Sequence, residues 1–162
     1  MTLRRNLEVA AILGLAVLGW ITWHALTGAV HLPDRIPMHF DVAGNVNGWA
    51  SAGALWLLPG LALGLWLLMT LVARFPGSFN YPVQVTAQNQ AALEALAQQM
   101  IAWIKAELVW MFCWMQGVTL QIARGHATRM PAGAMPVTLA VVFGTIGWHI
   151  WAMVRAARPV KA

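Results

Sequence analysis

The chain has 162 residues, of which 60% are apolar and only 9% charged, with a formal charge of +5. An average soluble domain carries about 25% charged residues, so one domain of this size cannot clothe itself for water and is expected to be an integral membrane protein. The basic residues stand singly between apolar runs, as topology signals do, which excludes a nucleic-acid-binding stripe.

Residues 7–30 are apolar except for Glu8, Thr22, His24 and Thr27. About 20 apolar residues cross a hydrocarbon core of roughly 30 Å. Arg4 and Arg5 precede this run, but it exceeds the roughly 7–15 residues of a signal-peptide core; it reads as an uncleaved first span. Residues 31–51, HLPDRIPMHFDVAGNVNGWAS, form a polar island between two apolar runs. Pro33, Pro37, Gly44 and Gly48 exclude a regular helix through it. Ile36, Met38, Phe40 and Val42 alternate with Pro37, His39 and Asp41, the period of an extended strand, and AGNVNG reads as a turn.

A second span covers residues 52–73, with a kink expected at Pro59. Gly60 and Gly64 form a GxxxG pair, read either as a homodimer interface or, in the plainer reading, as close packing within one chain. Residues 74–99 form a cytoplasmic connection in which Thr86 is the expected helix cap and 91–99 an interfacial helix. A third span at 100–122 carries Lys105 and Glu107, and a fourth occupies 134–154. The expected fold is an all-α membrane protein, a four-transmembrane-helix bundle with a short extended outer loop between helices 1 and 2. Arg4, Arg5, Arg74, Arg155, Arg158 and Lys161 then lie on one side, against Arg35, Arg124 and Arg129 on the other. That excess puts both termini in the cytoplasm and the island outside. Cys113 is the single cysteine and lies within a span, so an intrachain disulfide has no second partner.

Charge inside a bilayer is costly and is read first as functional. Trp103, Glu107, Trp110 and Trp114 follow helical spacings that place them within a stripe about 60° wide. Lys105 falls on nearly the opposite face, where its stem is expected to snorkel toward the cytoplasm. His149 of the fourth span lies at the depth of Glu107, both roughly 12 Å inside the boundary. Gly14 and Gly64 at that depth are expected to leave room around a Glu107–His149 contact. Such a pair either relays protons, holds a cation against aromatic faces, or only locks two helices together. Belts at headgroup level account for most of the ten tryptophans, but not for Trp110 and Trp114.

On the outer side His31, His39 and Asp41, with His24, Asp34 and His126, carry donors suited to zinc or copper. Their spacing matches no metal motif, so solvated or interface-anchored side chains are the better reading, and no cofactor is expected. A bis-histidine haem fails because His24 and His149 lie toward opposite ends of their spans. No nucleophile–base constellation, phosphate loop or zinc-protease motif is present, so no enzyme is expected.

Leu32-Pro33-x-x-Ile36-Pro37-x-His39-Phe40, followed by Gly44, Gly48-Trp49 and Ser51, resembles the signature of a bacterial membrane domain of unknown function. That domain forms the N-terminal part of the immunity proteins against the sporulation-delaying toxin. The similarity covers roughly residues 10–85, and Asn80-Tyr81-Pro82 resembles the second polar stretch more loosely. This chain has Asn47 where the family often has an acidic residue, and Ala52 where it often has lysine. The resemblance implies a non-enzymatic membrane protein of immunity or signal-transducing type and supplies no catalytic residue. Beside it stand two other expectations: a small proton-linked carrier of lipophilic cations using Glu107, commonly a homodimer, and an accessory subunit of a membrane complex. Membrane lipids and a peptide or protein met by the 31–51 loop on the outer face are the expected partners.

Overall fold

The computed structural model describes residues 2–28 and 31–157. Val30, at the end of the expected first span, and Arg158 and Lys161, used in the charge count, lie outside the described residues. The chain is mostly helical: α1 (Thr2–Leu26), a hairpin of β1 (Arg35–Phe40) and β2 (Val46–Ser51), a 3₁₀ turn (Ala52–Trp56), α2 (Leu57–Val72), α3 (Gln90–Ala123) and α4 (Ala134–Ala156). Three helical segments are long and apolar enough to cross a membrane: Thr2–Leu26, Ala52–Val72 and Ala134–Ala156.

The longest helix, α3 with 34 residues, is not among those three. It carries Gln90, Glu94, Gln98, Gln99, Lys105, Glu107, Gln116 and Gln121, and it tolerates them because it is the central element. α1 and α2 pack on one flank and α4 on the other. Its buried stripe runs Leu93, Ala97, Ile101, Lys105, Val109, Cys113, Gln116 and Leu120, the three-to-four spacing of one helix face. The facing stripe of α1 is Leu7, Ala11, Gly14, Leu18, Thr22 and Ala25. Small residues let these two backbones approach: a Cβ on Gly14 would stand 2.7 Å from Val109. Gly14 therefore serves the α1–α3 contact and leaves no room around Glu107, contrary to expectation.

Helix ends follow local rules. α3 stops in a Schellman arrangement, with Gly125 at φ 76°, its N–H donating to Ile122 and the His126 N–H to Gln121. The expected Thr86 cap is displaced. Asn89 precedes the helix, its side-chain oxygen accepting from the Thr86 N–H and its amide donating to Gln84. Residues 91–99 continue into α3 as one helix instead of forming a separate interfacial segment. Pro59 falls in the first turn of α2, directly after the 3₁₀ turn, where a missing N–H costs nothing; a mid-span kink is not needed. Among the described residues a Cβ on Gly60 or Gly64 would meet nothing within 4 Å, so close packing between those residues does not explain the GxxxG pair.

Candidate functional site

Two polar clusters flank α3 at the same level. On the α1–α2 side, Lys105 is 2% exposed, and its Nζ lies 2.5 Å from Glu8 Oε1 of α1 and donates to Thr70 Oγ1 of α2 at 3.0 Å. The Trp66 ring lies 5.6 Å from the ammonium. The expected snorkelling is overturned. The face opposite Glu107 is not a lipid face but the centre of the helix contact, and two sequence-distant partners meet the charge there. The signal lay in the sequence, since Lys105 stands four residues from both Ile101 and Val109, midway along the apolar stripe of α3. Three turns further along, Gln116 Nε2 donates to Thr22 Oγ1 at 2.8 Å and to the Leu55 carbonyl at 3.1 Å. Gln116 escaped notice because glutamine carries no charge to attract attention.

On the α4 side the expected Glu107–His149 contact is replaced by separate hydrogen bonds between each residue and Thr145. Thr145 Oγ1 donates to Glu107 Oε1 at 2.5 Å, and the His149 Nδ1–H donates to the Thr145 carbonyl at 2.8 Å. Among the described residues Lys105–Glu8 is the only ion pair, so Glu107 and His149 do not contact each other as charges. Both belong to the α3–α4 seam. His149, buried, has Nδ1 as donor, and the residue lines a cavity of about 300 Å³ with Gln99, Trp103 and Trp148. Glu107 lines a second cavity, of about 210 Å³, with Met111, Trp114, Val137 and Val141. Its Oε2 is buried and has no hydrogen-bond partner among the described residues.

The tryptophan stripe divides. Trp114 lies beside Glu107, and Trp103 beside His149. Trp110 is turned the other way: its indole N–H donates to the Ala10 carbonyl of α1 at 3.1 Å. The stripe's width lets its two edges reach different neighbours, and Trp110 takes the α1 edge.

The third region is the hairpin. β1 and β2 are antiparallel, with Arg35 opposite Ser51, Ile36 opposite Ala50, Pro37 opposite Trp49 and His39 opposite Gly48. The expected turn is shorter than AGNVNG, because Val46 onward pairs as β2. Asp41 organises it. Its Oδ1 accepts from the Ala43 and Asn45 N–H groups at 2.9 and 2.8 Å, and Oδ2 accepts from the Asn45 side chain at 3.1 Å. Those bonds, the Asn45 side chain first, hold the Asp41 carboxyl below its ordinary value near 3.8. Gly44, at φ 86°, docks on the α3–α4 loop: the Met130 N–H donates to its carbonyl at 2.9 Å, and a Cβ there would lie 2.1 Å from the Met130 oxygen. Only glycine fits that approach. Gly48 likewise makes room for its partner, since a Cβ would stand 2.8 Å from His39 Cβ.

The motif residues thus have separate tasks. Ile36 is buried with Ala25, Leu55 and Leu120, and Leu32 and Met38 pack around them. Pro37 is also buried, so strand alternation does not send it outward with His39. Pro33 and Ser51 are exposed, and Phe40 is half-buried. Val42, expected on the strand side of Ile36, Met38 and Phe40, is fully exposed just past β1 and does not share their burial. Exposed His39 holds Asn47 through Nδ1 at 2.5 Å, a partner the spacing did not suggest. Asp41 is occupied by its own turn and His31 is exposed. Among the described residues no three His, Cys, Asp or Glu side chains are placed to hold a metal ion. Beneath the hairpin lies a cavity of about 220 Å³ lined by Met38, Phe40, Met115, Met130 and Met135.

The architecture defines a mostly helical protein with three helical segments long and apolar enough to cross a membrane and a hairpin fastened across one end. Residues 12–63, about a third of the chain, match the domain of unknown function DUF1648. The match runs from α1 through the hairpin into α2 and so contains the whole LPxxIPxHF segment. No curated protein matches the chain. No solved structure matches it either.

Proposed function

We propose that this is a non-enzymatic multi-pass protein of the bacterial inner membrane, of immunity or signal-transducing type, whose 31–51 hairpin recognises a peptide or protein outside the cell. In this reading α3 crosses with the three apolar helices, which gives a four-helix bundle with both termini in the cytoplasm. The exposed leucines of α2 and the exposed Val137, Leu139, Val141 and Phe143 of α4 suit contact with lipid, and the arginine bias suits the orientation. One observation carries the recognition role. The hairpin is fastened to the bundle at both Ile36 and Gly44, yet presents Val42 and the half-exposed Trp49 to solvent beside a methionine-lined cavity. Methionine walls adapt to varied apolar side chains, and a rigid frame lowers the entropy cost of binding.

The test uses the sporulation-delaying toxin as probe, since the LPxxIPxHF resemblance leads to its immunity proteins. The chain is expressed in a toxin-sensitive host and survival is scored beside membrane abundance. Protection that disappears in Trp49→Ala and His39→Ala while abundance holds supports the reading. A chain that confers no protection refutes the immunity role, and variants that protect fully leave the hairpin without a recognition role.

A further inference from the structure

The α3–α4 seam holds a group that neither the hairpin reading nor the packing of the bundle uses. Glu107 places one carboxyl oxygen on Thr145 and keeps the other buried without a partner. A carboxylate oxygen in an apolar surround is costly unless a cation or donor meets it. The nearest basic group in sequence, Lys105, is committed to Glu8 and Thr70 on the far side of the helix. The neighbouring cavity of about 210 Å³ is walled by Met111, Val137, Val141 and the Trp114 indole. Trp114 and Val141 are 40% and 50% exposed, so the cavity opens sideways, toward hydrocarbon once the bundle is in a bilayer. One free oxygen is too few for a hard metal ion, which wants about six oxygen ligands. Apolar walls and an aromatic face suit an organic cation instead, through cation–π attraction.

We propose that the Glu107 cavity is a binding site for a lipophilic organic cation, which enters between α3 and α4 from the bilayer. The Glu107 carboxyl at the cavity wall meets the positive head, its Oε2 turning out from the buried position to do so. Trp114 lies against the head, and the valines of α4 take the apolar body. Thr145 holds the carboxyl in place, so its hydroxyl is a positioning group and not a ligand. The site is independent of the hairpin reading, because it stands on other elements and needs no outer partner.

The test uses tetraphenylphosphonium with the full-length purified protein in detergent, followed by equilibrium dialysis. Saturable binding is expected, with tetraphenylborate, of the same shape and opposite charge, failing to compete. Glu107→Gln removes the charge and should weaken binding about tenfold or more, the worth of one charge-assisted contact. Val141→Trp, on an exposed position, fills the cavity without touching the carboxyl and should weaken binding similarly; it decides the matter if Glu107→Gln fails to fold. Trp110→Phe, on the α1 side, should leave binding unchanged. Absence of saturable binding, equal competition by the borate, or undiminished binding in both Glu107→Gln and Val141→Trp overturns the proposal.

Discussion

Lys105 and Glu107 sit two residues apart on one helix and meet opposite fates. Lys105 faces α1 and α2, where a carboxylate and a hydroxyl meet it. Glu107 faces α4, where it gains one hydroxyl and keeps one oxygen orphaned. The contrast teaches how to sort charge on the central helix of a bundle. Charge alone nominates both residues, but only the count of satisfied lone pairs and protons separates a fastener from a site.

That contrast can be broken by mutation. The largest effect is expected at the fastener. Lys105→Met should cost about 3 kcal/mol or more of unfolding free energy, because it strands the Glu8 carboxylate, whereas the double variant Glu8→Gln/Lys105→Met should recover most of the loss. Unfolding in mixed micelles measures both. A single variant as stable as the double would show that the pair holds nothing together.

Gly44→Ala comes next, since the hairpin latch is also of the fully satisfied kind. A Cβ cannot coexist with the Met130 carbonyl, and a left-handed backbone adds strain, so a cost of about 1–3 kcal/mol is expected. Faster hydrogen exchange at the Met130 amide would report it, and unchanged exchange would refute the latch. Glu107→Gln should be milder, below about 1 kcal/mol, as an amide oxygen still accepts from Thr145. A loss as large as that of Lys105→Met would erase the distinction between the two sides of α3.

The smallest effect lies at Asp41. Its folded carboxyl sits below the ordinary value, so its contribution is full above about pH 4 and is lost as pH falls through the lowered value. Amide exchange at Ala43 and Asn45 should therefore quicken only in acid, and Asp41→Asn should abolish that dependence.

Much of the fold was legible in sequence because it follows from local rules. Hydropathy located α1, α2 and α4, the alternation from Ile36 marked β1, and the prolines and glycines excluded helix from the island. The remainder depends on who meets whom across the bundle. β2 has little period of its own and is made by pairing with β1. α3 begins at Gln90 because Asn89 closes the preceding loop, which a threonine-based reading of the cap cannot show. Glu107, Thr145 and His149 gather on one seam, but the sequence marked only the two charged or titratable members. Thr145 looked like any small residue in a span. Trp110 left the predicted stripe because a carbonyl on α1 was within reach of its indole.

The Lys105 cluster also bears on how the chain is made. Synthesis runs from the N-terminus, so Glu8 and then Thr70 are finished before Lys105 leaves the ribosome. The helix that carries Lys105 is thus preceded by both elements that meet its charge. An order with α3 first would produce a bare ammonium with no acid yet made to meet it; in this order the Glu8 carboxylate and the Thr70 hydroxyl are both in place in the chain when Lys105 arrives.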